Sequence, residues 1–200
     1  MADIDQLKAQ LRLIESTDPG AVRRRVLEIL VAGFGAKCGL FLKIVFREGA
    51  GYWTAMTAVG DSEARRRIVA VEGSPHLPDQ LWNPWEPSSE EKDTFVSLEH
   101  GPITRKQLTP TRTYRMIYEP MGIYDHARAL LYDGARFVGW VGLLREGKHP
   151  FRLSELAELN EMSDALGRAS TGDLGVPFDP VEGVDISVEN GMLRIVSPEE

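Results

Sequence analysis

The chain has 200 residues, which at roughly 150 per domain allows one sizeable domain with a short appendage and excludes a barrel enzyme of ordinary size. With 42% hydrophobic and 26% charged residues it can bury its own core, and neither disorder nor a fibrous repeat fits. Lys plus Arg, 23, against Asp plus Glu, 30, gives a net charge of −7, which repels a phosphate backbone, so direct nucleic-acid binding by these residues is not expected. One cysteine, Cys38, permits no internal disulfide, no four-cysteine zinc site and no cysteine-pair redox chemistry, and it points to a reducing cytosol. No uncharged run approaches about 18 apolar residues. Asp3, Asp5 and Gln6 stand where a signal peptide would need a positive flank, so the expectation is a cytoplasmic protein without a membrane anchor.

Ile4, Leu7, Leu11 and Ile14 recur at spacings of three and four, with Asp5, Lys8, Gln10 and Arg12 on the other faces. This predicts an amphipathic helix over residues 1–17, whose stripe is suited to homodimerisation. Asp18 and Pro19 supply an N-cap and a first-turn proline for a second helix, with Val22, Val26, Ile29 and Leu30 as its apolar stripe. Gly33 and Gly35 act against its continuation.

From Leu40 the pattern becomes β-branched and aromatic. Leu40 to Phe46 and Tyr52 to Val59 read as a hairpin, and Arg67 to Glu72 as a further short strand. Residues 74–110 are punctuated by proline and carry Trp82 and Trp85. Their acidic group, Glu86, Glu90, Glu91 and Asp93, and the basic group Arg105, Lys106, Arg112 and Arg115 read as solvated faces. Tyr114, Ile117, Tyr118, Met121 and Tyr124 have helical spacing, though Pro120 should kink or end that helix. Ala127 to Tyr132 and Arg136 to Arg145 predict a hairpin about Asp133-Gly134-Ala135. Leu156, Leu159, Met162 and Leu166 then make an amphipathic final helix.

A Gly, Pro and Asp-rich linker follows Gly172, and Asn190-Gly191 would join two short strands with Val188 opposite Leu193 and Ile186 opposite Ile195. An isolated hairpin is marginal in water, so it must pack on the main domain, on a second copy or on chain beyond residue 200. The organisation read from the sequence is therefore a helix over 1–17, a main domain over 18–172, and a linker with a hairpin over 173–200 that begins a further domain. The fold class is α+β, an antiparallel sheet flanked by helices.

The stretch Phe137-Val138-Gly139-Trp140-Val141-Gly142-Leu143-Leu144-Arg145, followed by Phe151, Glu155 and Leu159, resembles GAF-type sensory domains that precede helix-turn-helix output modules in bacterial transcription regulators. The resemblance covers about residues 18 to 170. It implies a GAF/PAS-like domain that takes a small molecule or a partner between sheet and helices and relays a packing change through its terminal helices. Cyclic-nucleotide binding is not implied, because the Asn-Lys, Phe, Asp-Glu motif of such relatives is missing. Free-methionine-sulfoxide reductases of this fold need several cysteines, and this chain has one. Arg152 stands where a Ser or Thr cap would be usual, and no helix-turn-helix module lies within these residues.

Searching for catalysis finds no phosphate-loop consensus, no G-x-S-x-G and no H-E-x-x-H, and His76, His100, His126 and His149 are scattered. The bland reading of Cys38 is a small buried hydrophobe, and that of His126 a turn residue at a strand entrance. Trp53, Tyr114, Tyr118, Met121 and Trp140 are the candidate ligand-binding residues, ordinary core packing being the alternative. Gly139 and Gly142 mark close approach of another backbone, a helix or a ligand, with a helix as the expected neighbour. The expected role is non-catalytic sensing in transcription regulation, by a homodimer with a small-molecule ligand of unknown identity. The alternatives are a docking scaffold with an empty core, or a small enzyme using Asp61, Glu63 or Glu119 with His126.

Overall fold

The computed structural model describes residues 4–13, 19–47, 50–60, 62–63, 66–67, 96–100, 104–111, 114–133, 136–162, 166, 185–189 and 192–196. Helices α1 (Ile4–Arg12) and α2 (Pro19–Gly33) precede strands β1 (Cys38–Arg47) and β2 (Ala50–Val59). A two-residue strand β3 (Val96–Ser97), a short helix α3 (Arg105–Leu108) and a π-helical turn (Tyr114–Tyr118) come next. Strands β4 (Ile123–Asp133) and β5 (Arg136–Glu146), helix α4 (Leu153–Glu161) and the hairpin β6 (Asp185–Glu189) and β7 (Met192–Val196) complete the order.

Pro19 opens α2, as its fixed backbone dihedral favours. The helix ends in a Schellman motif: Gly35 takes φ +59°, its N–H reaches the Ala32 carbonyl, and Ala36 N–H donates to the Val31 carbonyl at 2.9 Å. The reversal feeds β1 into the middle of a five-stranded antiparallel sheet of order β2-β1-β5-β4-β3. This is the expected α+β class. Helices α1, α2 and α4 cover one face, where Leu27, Leu30, Phe41, Ala129, Val141, Leu143, Leu156 and Leu159 form a continuous apolar core. Lys8 in α1 meets Glu161 in α4 at 3.2 Å, an exposed pair that records adjacency more than stability.

Several expectations need correction. Arg67, read as the start of a strand, is helical; Glu63 binds Arg66 and Arg67 at 2.7 and 2.5 Å, and these one-turn ion pairs favour a helical turn. Residues 68–72 lie outside the described residues, as do Trp82, Trp85 and most of 74–110. The Tyr114 helix is a single π-turn, closed by Glu119 N–H donating to the Tyr114 carbonyl at 2.9 Å, and Tyr124 already belongs to β4. The helix that approaches a strand glycine does so at Gly39, where a Cβ would stand 2.8 Å from Val31 of α2. Gly142 instead makes room for the ring of Trp140, with a Cβ 2.9 Å from its Cζ3. Gly139 lies at the β4–β5 register shift with φ +152°, a bulge position.

The second hairpin pairs Val188 with Leu193 and Ile186 with Ile195, the register read from the sequence. Its strand β7 lies against β2 of the main sheet.

Candidate ligand-binding site

Successive strand residues point to opposite faces, so the face away from α1, α2 and α4 receives Leu40 of β1, His126, Arg128, Leu130 and Tyr132 of β4, and Trp140, Gly142 and Leu144 of β5. These residues are buried, which makes the sheet two-sided: one face is a largely apolar core that also encloses Asp125, Arg23 and Thr57, and the other carries a histidine and an arginine. The π-turn lays Ile117 and Tyr118 over this second face. Between them and the strands is a small cavity of about 20 Å³, walled by Leu40, Leu144, Ile117, Trp140 and Gly142, with Tyr118 and His126 as its polar groups. Gly142 sits between Leu40 on β1 and Arg128 on β4, and its missing side chain helps to open this space.

The Tyr118 phenol lies 2.5 Å from His126 Nδ1. Burial, reinforced by the charge of Arg128, pushes the histidine pKa down from 6.5 to about 3, so the ring is neutral at physiological pH. With Tyr118 donating to Nδ1, the remaining ring proton belongs on Nε2, a donor close to the Gly142 wall. The guanidinium of Arg128 lies 5.6 Å from the centre of the Trp140 ring and steadies it by a cation–π contact. Tyr114 stacks on Tyr118 from outside, ring centres 6.3 Å apart.

One residue before His126, Asp125 faces the other way and is only 1% exposed. Its Oδ1 accepts the Leu98 N–H at 2.9 Å and its Oδ2 the Phe151 N–H at 2.7 Å. Burial raises the Asp125 pKa, and the backbone N–H groups and Arg105 pull it back only in part. Ten residues on from Arg145 of β5, Glu155 of α4 accepts both arms of its guanidinium, at 3.2 and 3.1 Å. Burial opposes its charge, yet the Arg145 hydrogen bonds and the Arg152 N–H together hold it below the ordinary carboxylate range. That Arg152 N–H bond, 2.8 Å, shows how α4 starts without a Ser or Thr cap: its third-position Glu caps instead. A larger open depression of about 640 Å³ lies here, between the end of α2 and the start of α4. Its buried charges, Arg145 and Glu155, are spent on each other.

Of the five residues singled out for ligand binding, the fold brings Tyr118 and Trp140 together in the cavity wall. Tyr114 is one shell out. Met121 is buried away from the cavity lining, and its carbonyl accepts Lys37 Nζ at 3.1 Å. Trp53 pairs through its backbone with Ile44, and its side chain lies outside the described residues. Among the dimerisation candidates, Leu7 is 2% exposed in the core of its own chain, Ile4 and Leu11 are half-buried, and Ile14 lies outside the described residues. Sequence reasoning passed over Leu40, Ile117 and Leu144 as cavity lining, expected a helix at Gly142, and took His126 for a turn residue. His126 is inside β4, paired with Leu144, and the alternation His126, Arg128, Leu130, Tyr132 is the signal that would have found it.

The carboxylate and histidine candidates do not form an acid–base pair among the described residues. Glu63 is tied to Arg66 and Arg67, whose hydrogen bonds lower its pKa, Glu119 is exposed, and Asp61 lies outside the described residues. Among the described residues no group of three His, Cys, Asp or Glu side chains is placed to hold a metal ion, and no helix is long and apolar enough to cross a membrane. Cys38 is fully buried.

No family model and no curated protein matches the chain. Solved structures do. The chain is similar to the free methionine-R-sulfoxide reductase from Neisseria meningitidis in complex with its substrate, with TM-score 0.51 and 14% identity over 84% of this chain and 86% of that one. The two share a fold. The GAF domain of an Acinetobacter phosphoenolpyruvate-protein phosphotransferase gives TM-score 0.49 at 8% identity over 85% and 94%. A phycocyanobilin-bound GAF domain from a cyanobacterial phytochrome gives 0.46 at 12% over 84% and 92%.

Proposed function

We propose that residues 18–172 form a sensory domain that takes a small molecule on the second face of the sheet and passes a packing change to its terminal helices, with transcription regulation as the output. The observation that carries the reading is the cavity itself: a buried histidine, hydrogen-bonded to the Tyr118 phenol, held among apolar walls. Such a site suits a small, largely apolar molecule. About 20 Å³ has room for little more than a water-sized guest. A larger ligand must therefore shift Trp140 or the π-turn, and a ligand acts on an equilibrium only through such a difference between two states. The resemblance of the β5–α4 stretch to GAF-type domains of transcription regulators supports the output assigned, and the fold shared with an enzyme that holds its substrate supports small-molecule binding.

Reductase chemistry is not part of this reading. Thiol reduction of a sulfoxide leaves a sulfenic acid that a second thiol resolves, whereas this chain has Cys38 alone, in the core. The small cavity volume favours one second reading, a protein-docking scaffold. Homodimerisation through α1 belongs to the proposal with a narrower surface than the full stripe. Since Leu7 is committed to the core, the half-buried Ile4 and Leu11 and the 76% exposed Leu13 are what a partner helix can reach. The hairpin of β6 and β7 is proposed to begin a further domain.

Native mass spectrometry of the full chain, purified without denaturation, tests the reading. A retained small molecule in the wild type that is lost in Gly142→Ala supports it, and a chain that carries nothing, with Gly142→Ala unchanged, leaves the scaffold. Sedimentation of the wild type and of Leu11→Lys/Leu13→Lys tests the dimer: a concentration-independent monomer in both removes it.

A further inference from the structure

We propose that Asp125 is the positioning residue through which a change in the cavity reaches α4. The inference rests on the sensory reading above and names the coupling element. Asp125 and His126 are consecutive residues of β4, so a shift of the strand that moves the histidine in the cavity moves the carboxylate on the opposite face. That carboxylate is buried and fully engaged, with one oxygen on Leu98, at the turn that follows β3, and the other on Phe151, two residues ahead of α4. Phe151 is itself a core residue under the guanidinium of Arg145, 3.8 Å from its ring centre. The three segments thus meet on one side chain, whose two backbone hydrogen bonds tie the strand to the turn after β3 and to the residue ahead of α4.

A competing route exists. Arg145, opposite Asp125 at the end of β5, grips Glu155 and the Phe34 carbonyl, joining β5, α4 and the end of α2 through contacts of its own. The proposal is that Asp125, one residue from the cavity, carries the coupling, while the Arg145 cluster holds α4 in place whatever the state of the cavity.

A double-variant cycle separates the two by native-state hydrogen exchange on the full chain, comparing wild type, Gly142→Ala, Asp125→Asn and the double variant. Gly142→Ala perturbs the cavity from inside, because its methyl stands 2.9 Å from Trp140 and 3.7 Å from His126 Nε2. It has no contact with α4. The expected result is that Gly142→Ala changes exchange of the α4 amides about fivefold or more in the wild-type background and leaves them unchanged when Asn replaces Asp125. A purely structural aspartate would give the same change in both backgrounds. That outcome, or no change at α4 in the wild-type background, overturns the proposal. If Asp125→Asn does not fold, Asp125→Glu keeps the charge, displaces the oxygens, and enters the same cycle. Failure of the ligand reading remains distinguishable: a chain that retains no molecule yet shows the non-additive cycle keeps the coupling, and an additive cycle with a retained molecule keeps the sensor without this residue.

Discussion

The two faces of the sheet are both buried, and they are built in opposite ways. The face toward α1, α2 and α4 presents Phe41, Ala129, Val141 and Leu143 to aliphatic helix residues, and where a helix comes close, Gly39 makes the room. The other presents His126 and Arg128 with Trp140, and its glycine, Gly142, makes room for a ring beside a cavity. Burying polar side chains costs free energy that apolar ones would not incur, and below about pH 6.5 a histidine held neutral by burial and Arg128 adds to that cost. The first face sets a few fully engaged polar groups, Asp125 with the Leu98 and Phe151 N–H groups and Arg23 with Thr57, among close apolar packing. The second places its histidine and arginine beside a cavity.

The largest test of the contrast is a pair of truncations at adjacent positions. Leu143→Ala, on the fully packed face, should cost about 3 kcal/mol in urea denaturation, and Leu144→Ala, beside the existing cavity, about 2 kcal/mol, since part of its contact shell is already missing. Equal losses would mean that the second face is packed as tightly as the first. Next in size is a pH effect. The folded pKa of His126 is about 3 against an ordinary 6.5, so on acidification the unfolded chain binds the proton first. The stability contributed by this histidine is intact above about pH 6.5 and is lost progressively as pH falls toward 3. Between pH 7 and pH 5 the loss should be about 2 kcal/mol. His126→Gln, which leaves Asp125 in place, should abolish that increment; an unaltered pH dependence would show that the ring is not held neutral.

These contrasts also show what the sequence could and could not reveal. Element order was readable because it depends on local rules: the Pro19 start and Gly35 stop of α2, the period-two runs of β4 and β5, and the Asn190-Gly191 hairpin register all follow from backbone preference or alternation. The cavity was only half legible. Tyr118 and Trp140 stand out as aromatics, but Leu40, Ile117 and Leu144 join them only when β1, β5 and the π-turn converge, and no spacing encodes that. His126 was misplaced because Asp125 beside it looks like a turn residue, while its carboxylate is a buried brace for distant amides. The stripe of α1 misled for a related reason: a residue spaced for a partner helix, Leu7, is equally spaced for its own core.

Smaller effects separate the two glycines. Gly39→Ala places a methyl 2.8 Å from Cγ2 of Val31, with Leu143 and Leu27 each 3.4 Å away, and overpacking of this kind should cost about 1.5 kcal/mol, read as a lower denaturation midpoint. At Gly142 the obstructing atom is the edge of the Trp140 ring, next to open volume into which it can turn. The Ala variant there should lose less than about 1 kcal/mol and instead show a changed tryptophan emission. If Gly142→Ala proves the more damaging of the two, the cavity is not the yielding part of the molecule.

Tyr118→Phe probes the polar pair directly, at a cost of about 1 kcal/mol, since one buried hydrogen bond is lost. Its sharper readout is the imidazole. In the wild type the phenol holds the acceptor nitrogen at Nδ1, so ring 15N chemical shifts should report a single neutral tautomer with hydrogen on Nε2. In Tyr118→Phe nothing from residue 118 selects between the two nitrogens, and the shifts should move toward a mixture while the ring stays neutral, because burial and Arg128, the causes of its low pKa, are untouched. A variant that keeps the wild-type tautomer would show that something other than Tyr118 orients His126. The donor at Nε2 would then survive without the phenol, and the polar half of the cavity would have to be assigned to another residue.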